Sequence, residues 1–296
     1  MKLVIFGASG MIGGRLSEFF QKKGIDIIKV SRKKRKGFKK INYNSTKSIS
    51  QVLKDKDVII NCIGADVHLS KNYKKAILLN STFPKKIYQI ANNQQVKLFI
   101  YISTYHIYDF RKKKINESTA IIAKDNHTKS KILGESNLKR IKKKKTKLLI
   151  LRTCNLFGKP KYKNKNSEKL LINSFFKSIL KKRYFLIKSK TNDLRYYSSL
   201  ENYCNFIYKL LKLKNLKFRN KIKIINYTSN KKFTLINIIQ YLQKIILIKK
   251  QITSKIFFQH KKLDKVKNYN FLSNFQKNNN LINDRFFIKE ILKFIK

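Results

Sequence analysis

Three glycines spaced three residues apart, Gly7, Gly10 and Gly13, carry the clearest chemical signal in the chain. They follow the apolar run Leu3-Val4-Ile5-Phe6 and open a stretch with helical spacing. In such a loop the backbone turns sharply and comes close to a pyrophosphate, whose charge meets unpaired N–H groups at a helix N-terminus. The segment Gly7-Ala8-Ser9-Gly10-Met11-Ile12-Gly13 therefore predicts a dinucleotide site formed by Gly7, Ser9, Gly10, Met11, Ile12 and Gly13. About 20 residues further on, an acidic residue usually binds the adenosine ribose. This chain has Ser31-Arg32 there, followed by Lys33, Lys34 and Arg35. A carboxylate would repel a 2′-phosphate, whereas a hydroxyl and a guanidinium would bind it. The expected cofactor is NADP(H) in preference to NAD(H).

Other reactive side chains give weaker signals. Cys62, Cys154 and Cys204 lie far apart, with neither metal-ligand spacing nor a disulfide framework, so a reduced, cytoplasmic setting is expected. His68, His106 and His260 show no ligand spacing and read as structural or exposed. With 70 Lys and Arg against 15 Asp and Glu, the formal charge is +55. That predicts nonspecific adhesion to polyanions at low salt. The lysines are spread along the whole chain, and Lys, Asn and Ile share AT-rich codons, so the charge reads as compositional drift before it reads as a nucleic-acid site. The run from Lys142 to Lys147 reads as a solvated connection.

These residues must be positioned by a core, and 42% hydrophobic residues suffice to bury one. Strands are expected at Lys2–Phe6, Ile25–Val30, Val58–Ile63, Val96–Ser103 and Leu148–Arg152. Between them, helices are expected at Met11–Lys23, Tyr73–Asn92 with an interruption at Pro84, and Thr128–Ile141. The alternation predicts an α/β protein with a doubly wound parallel sheet covered on both faces. After Asn155 the pattern changes. Helices are expected at Ser167–Lys181, Tyr203–Leu213, Thr234–Ile246 and Ile288–Ile295, strands at Tyr184–Ile187 and Ile222–Tyr227, and a polar loop at Gln276–Asn280. The expected organisation is a dinucleotide-binding Rossmann part, 1–155, and a smaller substrate-binding part, 156–296, interleaved with it. The N-terminus runs straight into glycines rather than a cleavage site, and no apolar run is long enough to span a bilayer.

The sequence resembles the NAD-dependent epimerase/dehydratase family, extended short-chain dehydrogenases that act on nucleotide sugars. Several segments carry the likeness besides the glycine loop. Asp57-Val58-Ile59-Ile60-Asn61-Cys62-Ile63-Gly64 is similar to the family's fourth strand, whose end, Ile63 and Gly64, passes the cofactor. Asn80-Ser81-Thr82-Phe83-Pro84 resembles the dTDP-4-dehydrorhamnose reductase branch. Tyr101-Ile102-Ser103-Thr104 resembles the strand with the catalytic Ser or Thr, Arg152-Thr153-Cys154-Asn155 a substrate-side segment, and Arg195-Tyr196-Tyr197 the segment that reaches the nucleotide diphosphate. The resemblance implies that Thr104 binds the reacting sugar oxygen, Lys131 the nicotinamide ribose, Asn155 the substrate and Arg195 the diphosphate. It implies that Asn42 stands near adenine, that Asn80 lies near the cofactor, and that two copies pair as a homodimer.

The chain departs from that family at one point. The family's active Tyr lies four residues before the Lys; in Asn126-His127-Thr128-Lys129-Ser130-Lys131 that place is held by His127. Imidazole can exchange protons near neutrality, but a neighbouring ammonium favours its neutral form. Three readings stay open: His127 as substitute acid/base, a neighbour such as Tyr105 in that role, or retained binding without chemistry. The expected function is hydride transfer between NADP(H) and a nucleotide-activated sugar, with 4-keto reduction favoured. The alternatives are a dinucleotide-binding sensor or scaffold, and a nucleic-acid-binding protein on the same fold.

Overall fold

In the computed structural model, residues 1–142, 145–163, 166–189, 191–213, 216–260 and 268–295 are described. Residues 143 and 144 of the lysine run lie outside them. A seven-stranded sheet forms the centre, from β1 (Leu3–Phe6), β2 (Ile27–Ser31), β3 (Lys39–Lys40), β4 (Val58–Asn61), β5 (Leu98–Thr104), β7 (Lys147–Thr153) and β11 (Ile222–Tyr227). Its order is β11-β7-β5-β4-β1-β2-β3, with every neighbouring pair parallel. Successive strand residues face opposite sides. Accordingly Leu3 and Ile5 enter one hydrophobic core, while Val4 and Phe6 enter the other. All four are buried, so β1 can only be an inner strand of a sheet packed on both faces. The strand order reverses at β1, between β2 and β4, which is where a doubly wound sheet opens a crevice at its carboxyl edge.

The first helices cover that sheet: α1 (Met11–Lys22), α2 (Thr46–Leu53), α3 (Tyr73–Ile77), α4 (Phe83–Asn93) and α5 (Asn126–Lys139). The single long helix expected over 73–92 is divided by a π turn at Leu78–Thr82. Pro84 has no N–H to give to Asn80, one helical turn earlier. The Asn80 carbonyl instead accepts a hydrogen bond from the Tyr101 hydroxyl at 2.6 Å. α5 lies against this turn so closely that a Cβ on Gly134 would sit 2.1 Å from that same carbonyl oxygen.

The later chain builds a third core, from Phe157, α6 (Leu171–Lys182), α8 (Leu235–Lys250) and α10 (Phe287–Ile295). It also returns to the main sheet: β11 lies beside β7, and α7 (Leu200–Lys212) packs on α1. Thr234 caps α8, its hydroxyl accepting from the Asn237 amide. The polar stretch expected as a loop at 276–280 instead begins inside a helical turn, α9 (Asn274–Asn278). Ser273 caps it, and the buried Gln276 amide takes the place of a strand partner, accepting from Thr228 N at 2.6 Å and donating to Thr228 O at 3.3 Å. Among the described residues no helix is long and apolar enough to cross a membrane.

Candidate functional site

The glycine loop joins β1 to α1 and is shaped by its lack of side chains. Gly7 adopts φ +71°, and a Cβ there would lie 2.8 Å from the Cys62 carbonyl carbon. A Cβ on Gly13 would lie 2.4 Å from the Gly7 oxygen. Gly10 caps α1 without a side chain, so the first-turn N–H groups have no side-chain acceptor. This cradle fits a pyrophosphate, with Ser9, Met11 and Ile12 around it. Phe6 pairs with Val30, so Ser31 and Arg32 emerge at the same carboxyl edge as Gly7. The Ser31 hydroxyl accepts from Lys33 N at 3.2 Å, and Arg32 is exposed. The side-chain oxygen of Asn42 closes a local turn by accepting from Asn44 N.

Two of the residues expected to react, His127 and Lys131, lie on α5. Asp125 and Thr128 form a capping box that starts this helix, which fixes His127 in its first turn and Lys131 one turn later on the same face. Lys131 Nζ donates to Ile102 O of β5 at 2.8 Å. A Cβ on Gly64, after β4, would lie 3.2 Å from that nitrogen. Burial lowers the Lys131 pKa to about 8, against an opposing attraction from Glu135. Glu135 is itself held by Arg152, at 2.7 and 3.1 Å, and by the Ser103 hydroxyl at 2.6 Å. Thr104 ends β5, and its hydroxyl oxygen accepts from His106 N at 3.3 Å.

His127 is buried, and its Nδ1 lies 3.0 Å from Ala65 O. Desolvation, then the nearby Lys131 and His106, lower its pKa to about 4, so the ring is neutral at physiological pH. Asn80 fixes the same segment: its Oδ1 accepts from Ala65 N at 2.9 Å, and its Nδ2 donates to Ser130 Oγ at 2.9 Å and Ala65 O at 3.3 Å. Ile63, two residues before Ala65, is buried.

Asn155 and Arg195, expected at the substrate, sit on two paired strands. Asn155 begins β8 (Asn155–Phe157), which pairs with β10 (Arg195–Ser199) so that Asn155 lies opposite Tyr197. Asn155 Nδ2 donates to the Tyr105 hydroxyl at 2.8 Å, and its Oδ1 lies 3.0 Å from His106 Nε2. A cleft of about 500 Å³ is lined by Tyr105, His106, Lys124, Arg195 and Tyr269. His106, expected to be structural or exposed, is not exposed: it bonds Asn155 and lines this cleft, and burial lowers its pKa to about 4. Its bond to Asn155 joins residues 49 positions apart, which no local spacing could reveal. Tyr105 is fully buried, and desolvation pushes its hydroxyl well above the ordinary tyrosine value, so it stays protonated. A larger concavity of about 620 Å³ lies near α1 and α7; its charged groups Arg15, Glu18, Glu201 and Lys293 pair among themselves, and it holds none of the expected site residues.

A glycine cradle at the switch point of a doubly wound sheet, with a buried lysine from a flanking helix bonded to β5 of that sheet, defines a dinucleotide-binding protein of the Rossmann class. The model of the NAD dependent epimerase/dehydratase family matches residues 3–225, and the chain belongs to that family. A search of curated protein sequences finds no significant match. Among solved structures the chain is similar to MoeE5 in complex with UDP-glucuronic acid and NAD, at 12% identity over 99% of this chain and 97% of that one, TM-score 0.81. It is similar to dTDP-4-dehydrorhamnose reductase from Bacillus anthracis in complex with NADP, at 16% identity over 99% and 98%, TM-score 0.76. UDP-glucuronic acid 4-epimerase from Bacillus cereus in complex with NAD shares 15% identity over 88% of each chain, TM-score 0.71. At these identities the likeness is one of fold.

Proposed function

We propose that this protein binds NADP(H) in preference to NAD(H) and exchanges hydride with a ring carbon of a nucleotide-activated sugar. The observation that carries the reading is Lys131, whose ammonium spans from α5 to Ile102 O and to the space above Gly64, at the carboxyl edge that the glycine loop also reaches. When bound, the nicotinamide supplies or accepts hydride. The chain's own residues do the rest. Gly7, Ser9, Gly10, Met11, Ile12 and Gly13 hold the pyrophosphate, Ser31 and Arg32 the 2′-phosphate, and Lys131 the nicotinamide ribose. Asn42 offers its amide to adenine, while Asn80 acts through Ala65 by fixing the strand end at Ile63 and Gly64. Thr104 hydrogen-bonds the reacting oxygen, His127 handles its proton, and Asn155 and Arg195 orient the nucleotide sugar, over which 156–296 closes. The solved relatives support the substrate class, since MoeE5 is seen with a UDP sugar.

The test follows absorbance of the reduced nicotinamide while the protein meets UDP- and dTDP-hexoses and their 4-keto forms with NADPH, NADP⁺, NADH or NAD⁺. Turnover with at least one sugar is expected. Tight cofactor binding with no turnover on any of them would instead support a dinucleotide sensor. That second reading rests on His127 occupying the place of the family's tyrosine.

A further inference from the structure

The hydrogen bond between His127 and Ala65 has a chemical consequence for this site. A backbone carbonyl can only accept, so the 3.0 Å contact to Ala65 O requires the proton to be on Nδ1. A neutral ring then carries a lone pair at Nε2. No described residue hydrogen-bonds Nε2. Ala65 O cannot easily turn away, because Asn80 grips both the N–H and the C=O of Ala65 and is itself held through Ser130. Ser130 Oγ donates in turn to His127 O, closing the loop onto α5.

Resting on the proposed hydride exchange, we propose that His127 is locked as a proton acceptor, so that its intrinsic role is to deprotonate a sugar hydroxyl during oxidation rather than to protonate a ketone. The O–H bond of the sugar breaks and its proton passes to Nε2. The freed electron pair forms the C=O bond, and the carbinol C–H leaves as hydride to the oxidised nicotinamide. The product is a ketosugar and an imidazolium held between Ala65 O and the sugar oxygen. A tyrosine at this position would serve reduction as the phenol and oxidation as the phenolate, depending on its protonation state. The pinned imidazole arrives without a proton at Nε2, so an epimerase, dehydratase or dehydrogenase that begins by oxidising fits it better than a one-way reductase.

The groups facing the ring fix how it titrates. Lys131 one turn along α5 and His106 after β5 oppose protonation, as does the N-terminus of α5, whereas Asp125 and the Ala65 carbonyl favour it. Burial adds to the opposition, so the neutral form prevails at rest and Nε2 is a weaker base than a free imidazole.

The first test needs no substrate. Nitrogen-15 NMR of protein labelled at its four histidines, assigned with a His127→Gln variant, reads the tautomer directly. A proton on Nδ1 and a bare Nε2 for His127 from pH 5.5 to 8 is expected, in the free and NADP⁺-bound protein. A proton on Nε2, or a doubly protonated ring at pH 7, overturns the proposal whether or not any sugar turns over. The second test uses kinetics with the UDP- and dTDP-hexoses and NADP⁺. His127→Ala should lower kcat for oxidation by roughly 100-fold or more, with the cofactor Kd changed less than about twofold and partial rescue by added imidazole. Unchanged kcat in that variant rejects the base while leaving hydride exchange standing. Absence of turnover in the native protein rejects the hydride exchange, and the NMR result still decides the tautomer.

Discussion

Asn80 holds both backbone polar groups of Ala65, accepting from its N–H at 2.9 Å and donating to its C=O at 3.3 Å. The pair lies between the π turn and the end of β4, and it sets the carbonyl that His127 meets. Replacing Asn80 by Ala leaves the buried Ala65 N–H without a partner, a loss of about 1–3 kcal/mol. The Asn80→Ala protein should lose about that much unfolding free energy and unfold at a lower urea concentration. Its His127 resonance should show mixed tautomers, since Ala65 O is no longer held. A purely structural role for Asn80 would lower stability and leave the tautomer intact.

Gly13 decides whether the cofactor cradle can exist. A Cβ at this position would sit 2.4 Å from Gly7 O and 2.9 Å from Ala8 Cα, both rigid backbone positions. In Gly13→Ala the loop must open away from α1, and NADP⁺ binding should weaken on the order of 100-fold, or about 3 kcal/mol. Titration calorimetry checks this. An unchanged Kd would mean that the phosphates do not use this loop.

Arg32 tests the cofactor preference. It follows Ser31 at the end of β2, exposed and level with the glycine loop. A charge-assisted contact to the 2′-phosphate contributes about 1.5–3 kcal/mol. Arg32→Glu should therefore raise the Kd for NADP⁺ by roughly 10- to 150-fold and leave NAD⁺ binding nearly unaltered. Equal losses for both dinucleotides would assign Arg32 a general electrostatic effect, of the kind this cationic chain supplies everywhere.

The sequence showed most clearly what is local. The glycine loop follows from three residues and the run before them, and the strand at 222–227 has the bounds its apolar pattern predicts. The parallel sheet follows from alternation alone. Long-range partners were not visible. Gln276 reads as loop because polar side chains usually mark solvent, yet it is buried against Thr228. His106 gained its place only when β8 brought Asn155 to it. The sequence also put His127 in the family's tyrosine position without indicating its tautomer, because Ala65 lies 62 residues away. Pro84 announced an interruption; the hydroxyl of Tyr101 that satisfies the freed carbonyl was invisible until β5 was placed.

The depressed His127 pKa also makes a statement about stability. In the unfolded chain an imidazole titrates near 6.5, whereas in the fold this one titrates at about 4, through desolvation and the Lys131 charge. Between those values the unfolded chain binds more protons, so stability falls as pH is lowered from about 6.5 towards 4 and is flat above that window. The full effect is on the order of 3 kcal/mol. His106 shifts in the same direction and contributes to the same window. A comparison of the native protein with His127→Gln isolates one from the other, because His106 is common to both. Urea midpoints at pH 4.5 and 7.5 should show the native protein losing more stability on acidification than the variant does. If both lose the same amount, His127 is charged or solvated in the folded state, and its hydrogen bond to Ala65 does not hold a neutral ring.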